Sequence, residues 1–146
     1  VGCNAGYNLR AIHEASPGTK TVGVDINAKA VAEARQLGYD VHLKPADKID
    51  DLVIDIDLVF TAGVLIHVSE GELESTMRAL IERSKRHILA VEYDAPKQEE
   101  INYRGHDGKL WKRPYGKMYE AMGLKLLASG NPQGFDNCEY WLLEKQ

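Results

Sequence analysis

The chain has 146 residues, with 18 Lys or Arg against 22 Asp or Glu, so its formal net charge is -4. This length suits one domain with a single core, which we expect to span residues 1–146. The composition, 44% hydrophobic and 27% charged, excludes collagen-like and disordered classes, and the negative charge argues against a nucleic-acid partner.

Apolar runs of strand length alternate with segments of helical period, which predicts an α/β fold with a largely parallel sheet. In chain order, we predict a helix at 8–15, a strand at 21–26, a helix at 28–37 and a strand at 41–43, followed by an acidic connector at 45–55. A strand at 56–61, a helix at 70–83 and a strand at 87–92 come next, before a polar connection at 94–112. The chain closes with a helix beginning near Pro114 and antiparallel strands at 124–129 and 139–144.

Local signals mark the ends of two predicted helices. Asn27 is placed to cap the helix 28–37, and Gly38 stands where a left-handed residue ends it. Ser69, with Glu72 three residues later, predicts a capping box at the start of the helix 70–83.

Membrane and disulfide classes are excluded. The most apolar stretch, residues 58–68, is too short to cross a bilayer, so we expect no membrane partner. Cys3 and Cys138 are too few for a disulfide framework or a zinc site, which favours a reducing cytoplasm and predicts no bound metal.

The first functional signal is the opening pattern Gly2-x-Asn4-x-Gly6, typical of a strand-to-helix turn whose backbone N–H groups approach a ligand. A dinucleotide fingerprint would have glycine where Tyr7 stands. The spacing fits better the G-x-G-x-G turn of S-adenosylmethionine (SAM) enzymes, because Asn tolerates the left-handed region; an ordinary glycine turn is the alternative. Because the turn opens the sequence, we expect most of the strand before it to be missing.

Two acids follow predicted strands and are candidates for cofactor contacts. Asp25 lies 19 positions after Gly6, where a carboxylate can accept both ribose hydroxyls of an adenosyl ligand. An isolated acid could instead cap a helix or face solvent, but the turn and the acid at this interval favour the ligand role. Asp47 could meet the adenine amino group or be one more solvated acid of the run that includes Asp50, Asp51, Asp55 and Asp57. Ile26 and Gly63 complete the predicted cofactor set.

His67 stands in the segment GVLIHV, just beyond the strand 56–61. A lone histidine on an apolar background is more often structural than catalytic, and a general base is the alternative.

These motifs resemble the class I SAM-dependent methyltransferases, and the likeness, carried by VGCNAGYNL, GVDINAKAV, VFTAGVLIHV and the strand order, covers essentially the whole chain. The stretch AVEYDAPKQEEINYRGHDGKLWKR is similar to methylases associated with the biosynthesis of pseudaminic acid, a nonulosonic sugar acid. The resemblance implies a Rossmann-like, doubly wound, mostly parallel seven-stranded sheet. It also implies SAM as cofactor, S-adenosylhomocysteine as product and a small sugar-derived acceptor.

Several methyltransferase subclasses are excluded by the residues directly after the strand 56–61. Thr61-Ala62-Gly63-Val64 stands where amino-methylating enzymes have a D/N-P-P-Y/F motif, and no acid occupies the place of the metal ligand of catechol-type enzymes. Neither cysteine lies in the Pro-Cys pair of cytosine C5 enzymes. We therefore expect metal-independent transfer.

The segment 103–113, YRGHDGKLWKR, holds four basic residues against one acid, a local charge of +3. It follows the strand 87–92, so it can fold over the sheet edge where ligands of open α/β proteins bind. We predict that Arg104 and Arg113 bind the acid group of an anionic acceptor, because arginine forks match carboxylates and phosphates. The rest of the predicted acceptor set is Tyr93, Tyr103, Lys109 and Trp111, with an aromatic ring stacked on the sugar, and His106 or His67 takes a proton. A solvated basic loop with a packed Trp is the alternative.

Two other functions compete with a methyltransferase. A non-catalytic methyltransferase-like binding module would explain Asn4 and the missing strand, and an NAD-dependent oxidoreductase is disfavoured by Tyr7. Whether the chain forms a homodimer is left open.

Overall fold

The computed structural model of the protein describes residues 1–49, 52, 55–134 and 137–146, so Asp50 and Asp51 of the predicted connector and Phe135 and Asp136 of the closing loop lie outside the described residues. The helices are α1 (Tyr7–Ala15), α2 (Ala28–Gln36), α3 (Glu70–Arg83) and α4 (Tyr115–Ala121), and one 3₁₀ turn spans Leu65–His67. The strands are β1 (Gly23–Asp25), β2 (Val41–Leu43), β3 (Ile56–Ala62), β4 (Ser84–Tyr93), β5 (Glu99–Glu100), β6 (Trp111–Lys112), β7 (Leu124–Gly130) and β8 (Cys138–Lys145).

The eight strands of the described chain form three sheets. β1 and β2 are a parallel pair, and β5 and β6 form a small antiparallel hairpin. The largest sheet has the order β3-β4-β8-β7, with β3 parallel to β4 and the two remaining pairs antiparallel. The α/β character and the antiparallel closing pair are confirmed. The expected single sheet of seven strands is not confirmed, since the observed sheets are separate and mixed.

The first residues of the chain lie between the β1–β2 pair and the four-stranded sheet. The nitrogen of Val1 donates to the carbonyl of Phe60 in β3 at 2.8 Å, and the N–H of Cys3 donates to the carbonyl of Val24 in β1 at 3.0 Å. The first residues of the opening turn are therefore hydrogen-bonded to both β1 and β3. The expectation of a missing strand before this turn stays a prediction.

The main core lies between the helices and the four-stranded sheet. Leu73, Met77 and Leu80 of α3 follow helical spacing and are buried, and Tyr115 and Tyr119 of α4 are fully buried. A second apolar cluster under β1 and β2 contains Cys3, Leu9, Val31, Ala34 and Val41. No helix in the described residues has the length and apolar character that a membrane span needs.

The structure corrects three local expectations. The predicted capping box does not form: the Ser69 hydroxyl donates to the Glu72 carboxylate, and no side chain caps α3. β4 begins at Ser84, directly after α3, because its first residues pair with β3. The predicted polar connection contains the β5–β6 hairpin, whose two-residue strands are too short to produce a periodic pattern. Asn27 does cap α2, through bonds to the N–H groups of Lys29 and Ala30.

Candidate active site

A cavity of about 710 Å³ opens at the carboxyl ends of β1, β2 and β3. This volume is in the range of small-molecule sites. The opening turn, the segment after β2 and the segment from β3 into α3 form its walls. Seven residues predicted from the sequence line it: Gly2, Asn4, Asp25, Ile26, Asp47, Gly63 and His67.

The opening turn needs left-handed backbone at all three positions of its pattern. Gly2, Asn4 and Gly6 have φ values of 64°, 48° and 87°, so the expectation that Asn replaces glycine in a left-handed conformation is confirmed. A Cβ at Gly2 would lie 2.3 Å from Cγ2 of Val64, and one at Gly6 would lie 2.8 Å from the ring of Tyr39. Gly6 does not line the cavity; it precedes α1 and shapes the turn.

Asp25 ends β1 with a half-buried carboxylate that is already oriented. Its Oδ2 accepts the N–H of Asn4 at 2.8 Å, and its Oδ1 accepts the N–H of Asn27 at 2.8 Å. Each carboxylate oxygen has a further lone pair, so both can still accept a hydrogen bond from a ligand. The acid and the glycine turn, 19 positions apart in the sequence, are thus joined directly.

Apolar and acidic side chains flank this carboxylate in the cavity wall. Ile26 is 76% exposed and Tyr7 is 62% exposed, and both line the cavity. Large apolar side chains with this exposure next to a fixed carboxylate suit a ligand with a flat apolar ring and polar edges. Asp47 is exposed on the segment after β2, whereas Asp55 of the same acidic run pairs with Lys85 at 2.9 Å.

His67 ends the 3₁₀ turn and is exposed to the cavity. Its Nδ1 lies 2.7 Å from the carbonyl oxygen of Lys109, which can only accept a hydrogen bond, so Nδ1 carries the proton of the neutral ring. Nε2 then holds the basic lone pair. The ring of Tyr103 packs edge-on against the imidazole, with 5.2 Å between the centroids.

Glu92, which sequence reasoning missed, lies directly behind this wall. It is fully buried, and its two carboxyl oxygens accept the N–H groups of Val64 at 3.2 Å and Ile66 at 3.3 Å. Burial raises the pKa of Glu92 to about 7. Ser84, Ile88 and Ala90 share its buried face of β4, so an acid at a core-facing position of an alternating strand was the available signal.

Two residues of the predicted acceptor set belong to the core instead. Arg113 is fully buried: its Nε donates to Oε1 of Gln98 at 2.8 Å, and one terminal nitrogen donates to the carbonyls of Leu65 and Val68. Trp111 is 9% exposed, and its ring lies under the Arg113 guanidinium at 4.8 Å. This placement corrects the roles predicted for both residues, because neither side chain lines the cavity.

The other predicted acceptor residues lie outside the cavity wall. Tyr103 and Lys109 contact His67, which lines the cavity, and the exposed Arg104 lies over the Tyr103 ring at 5.1 Å. Tyr93 is half-buried and packs against the main core. His106 is exposed at the tip of the hairpin, where its backbone pairs with Tyr103, and it is not in the cavity wall.

Residues 1–90 match a family described as a methyltransferase domain. The match covers more than half of the chain, which therefore belongs to this family. The predicted class is confirmed: the protein is a SAM-dependent methyltransferase. No curated protein sequence matches the chain.

Solved structures share the fold at low identity. Magnesium protoporphyrin IX methyltransferase of Synechocystis PCC 6803, crystallised with SAM, is 16% identical, with a TM-score of 0.74 over 99% of this chain and 67% of that chain. The 1,6-didemethyltoxoflavin N1-methyltransferase of Burkholderia thailandensis, with bound 1,6-didemethyltoxoflavin and S-adenosylhomocysteine, is 12% identical, with a TM-score of 0.78 over 100% and 69%. A protein of Pyrococcus horikoshii OT3 is 12% identical, with a TM-score of 0.76 over 99% and 79%.

Proposed function

We propose that the cavity binds SAM and a small, anionic, sugar-derived acceptor, such as a nonulosonic acid or a nucleotide sugar, and that the protein transfers the methyl group between them. The observation that carries the cofactor part is the Asp25 carboxylate, bonded at 2.8 Å to the glycine turn and open to the cavity. The 1,6-didemethyltoxoflavin bound in one similar structure supports a small acceptor.

The cofactor residues divide along the cavity wall. Gly2 and Asn4, shaped by Gly6, face the methionine part and the ribose, and Asp25 accepts the ribose hydroxyls. Ile26 covers one face of the adenine and Asp47 accepts a hydrogen bond from its amino group. Gly63, with φ 65°, keeps the wall after β3 free of a side chain.

The acceptor binds on the side of His67 and the hairpin. When bound, SAM would supply a methyl group on a sulfonium, whose transfer to a well-placed nucleophile breaks the methyl–sulfur bond and leaves S-adenosylhomocysteine. The protein therefore contributes alignment and exclusion of water. If the acceptor atom is a hydroxyl oxygen, Nε2 of His67 takes its proton as the new carbon–oxygen bond forms. Because Nδ1 is occupied by Lys109, the position of Nε2 is set before the acceptor arrives. His67 is therefore favoured over the exposed His106 as the base.

The charge of the hairpin supports an anionic acceptor. Arg104 and Lys109 are exposed there. Arg104 lies over the Tyr103 ring, which packs against His67, and the backbone carbonyl of Lys109 accepts the hydrogen bond from Nδ1 of His67. Arg104 has φ 54°, so the loop turns sharply at this residue. With Arg113 buried, Arg104 is the arginine of the segment that remains to bind an acid group.

A methyl-transfer assay tests the acceptor class. With isotope-labelled SAM, we expect transfer to nonulosonic acids or nucleotide sugars and none to uncharged sugars. Arg104→Ala should raise the acceptor KM at least tenfold and leave SAM affinity unchanged, because Arg104 is outside the cofactor wall. Lys125→Ala on β7 removes an exposed positive charge elsewhere and serves as the matched control. Equal loss of SAM and acceptor binding in Arg104→Ala would contradict the assignment.

One of the two observations that favoured a non-catalytic binding module, Asn4 in the glycine pattern, no longer supports it. Asn4 adopts the left-handed backbone that glycine would adopt, so this departure from the glycine pattern leaves the turn intact. Calorimetry with SAM and S-adenosylhomocysteine separates the two functions, since the absence of binding to either would favour a binding module of another kind.

A further inference from the structure

The 3₁₀ turn that carries His67 is held from both ends by buried side chains of other elements. At its start, the carboxyl oxygens of Glu92 in β4 accept the N–H groups of Val64 and Ile66 at 3.2 and 3.3 Å. A terminal nitrogen of Arg113 donates to the carbonyl of Leu65, inside the turn, at 3.2 Å and to the carbonyl of Val68, at its end, at 3.0 Å. Four backbone groups of one short segment therefore have side-chain partners.

The chemistry of the two side chains matches the ends of the turn. A helical turn leaves N–H groups without partners at its start and carbonyls without partners at its end, and such groups are costly when buried. Leu65 and Ile66 are buried, and the turn itself supplies only the bonds from His67 N–H to Val64 and from Val68 N–H to Leu65. Glu92 supplies acceptors for the N–H groups of Val64 and Ile66, and Arg113 supplies a donor for the Val68 carbonyl and a second donor for the Leu65 carbonyl.

Arg113 is itself fixed by its surroundings. Its Nε donates to Gln98, its terminal nitrogen also lies 3.4 Å from the Tyr115 hydroxyl, and its guanidinium stacks on Trp111. The Tyr115 hydroxyl in turn donates to the carbonyl of Trp111 at 3.3 Å. These contacts hold the guanidinium in one position, and its hydrogen bonds to Leu65 and Val68 then fix the backbone of the 3₁₀ turn.

We infer that Glu92 and Arg113 are positioning residues for His67: together they set the 3₁₀ turn so that Nδ1 meets the Lys109 carbonyl and Nε2 is left as the basic nitrogen. This inference rests on the proposed role of His67 as the base. It also gives Arg113 a function that differs from acceptor binding. Neither residue contacts the acceptor; both act through the backbone of the turn.

The tautomer of His67 measures this positioning without an acceptor. In ¹⁵N-histidine NMR spectra at pH 8, we expect the wild-type His67 to be protonated on Nδ1, its signals being assigned by their loss in His67→Asn. In Arg113→Met and Glu92→Gln, the Nδ1-protonated form should give way to the tautomer mixture of an exposed imidazole. Glu72→Gln, which changes an exposed acid of the same cavity outside this arrangement, should keep the wild-type tautomer.

Controls separate positioning from unfolding. The signals of His13, whose Nε2 lies 2.8 Å from the Thr21 hydroxyl, report the fold in the same spectra. Unchanged His13 signals together with a wild-type His67 tautomer in Arg113→Met and Glu92→Gln would overturn the inference. If Arg113→Met fails to fold, Arg113→Lys keeps a charged donor but not the planar fork, and we expect a partial tautomer change. A wild-type tautomer in Arg113→Lys would overturn the role of the fork.

Kinetics and calorimetry keep this inference distinct from the proposed function. With an acceptor in hand, Arg113→Met should lower kcat by about 10²-fold or more, the range for general base catalysis, and change the KM for SAM less than threefold. In a His67→Asn background the same substitution should lower kcat no further, whereas an additive loss would mean that Arg113 does not act through His67. Failure of the wild-type protein to bind SAM would refute the proposed function, whereas the tautomer experiment would still decide whether Glu92 and Arg113 position His67.

Discussion

Replacing Asp25 with Ala should weaken SAM binding without unfolding the protein. The carboxylate oxygens accept the N–H groups of Asn4 and Asn27, and both bonds lie at the cavity rim, where water can replace the lost acceptor. The substitution therefore changes mainly the free energy of SAM binding, because the ribose hydroxyls lose a charged partner. Hydrogen bonds to charged groups and unpaired polar partners contribute about 1–3 kcal/mol, which corresponds to a Kd raised by about 5- to 150-fold.

Isothermal titration calorimetry with SAM and with S-adenosylhomocysteine measures this change directly. Both ligands contain the same ribose, so we expect equal losses for the two. Asp40→Ala is the matched control, because Asp40 is an exposed acid that pairs with His42 at 3.1 Å and lies outside the cavity wall. A wild-type Kd in a folded Asp25→Ala protein, or the same loss in Asp40→Ala, would refute the assignment of Asp25 to the ribose.

Two further predictions concern the stability of the site. Gly2→Ala should lower the free energy of unfolding, measured in urea, by about 1–3 kcal/mol, because φ at Gly2 is 64° and the added Cβ would lie 2.3 Å from Val64. Gly18→Ala is the control, because a Cβ at Gly18 would have no atom within 4 Å, and it should leave this free energy unchanged. Equal effects of the two substitutions would contradict the close approach at Gly2. Burial raises the pKa of Glu92 from 4.5 to about 7, so the folded state holds a proton that the unfolded state releases, and stability falls as pH rises from about 4.5 to about 7. Relative to Glu92→Gln, the melting temperature of the wild-type protein should therefore decrease across this window, and parallel curves would show that Glu92 does not titrate there.

Local signals in the sequence predict much of the secondary structure. The bounds of β2 and α3 match the predicted ranges, and α2 begins at its predicted Asn27 cap. Periodicity and caps act between residues close in sequence, so they can be recognised without the fold. The capping box at Ser69 does not form because the Glu72 N–H donates to the Ser69 carbonyl at 3.1 Å, while the Ser69 hydroxyl donates to the Glu72 carboxylate instead of accepting that N–H. The residue pattern is the same for both arrangements.

The sequence alone also predicts the cavity wall that we propose for the cofactor. Gly2, Asn4 and Asp25 come at a characteristic spacing, and the carboxyl ends of neighbouring parallel strands meet at one edge. The structure brings these residues into one cavity and joins Asn4 to Asp25 by a hydrogen bond. This part was predictable because a turn and a strand end determine it.

The acceptor side depended on the tertiary structure. Arg104 and Arg113 have the same side chain in the same basic segment, yet one is exposed on a hairpin turn and the other is buried under the 3₁₀ turn. The partners of Glu92 and Arg113 are backbone groups 26 to 48 positions away in the chain. Burial and pairing across such separations are set by how the elements pack. Alternation along β4 places Glu92 at a core-facing position, but residue type and local spacing do not identify the partners of Glu92 or Arg113. The sequence therefore determined that the opening turn and Asp25 meet in one cavity wall, and packing decided which basic and acidic side chains bind the turn that holds His67.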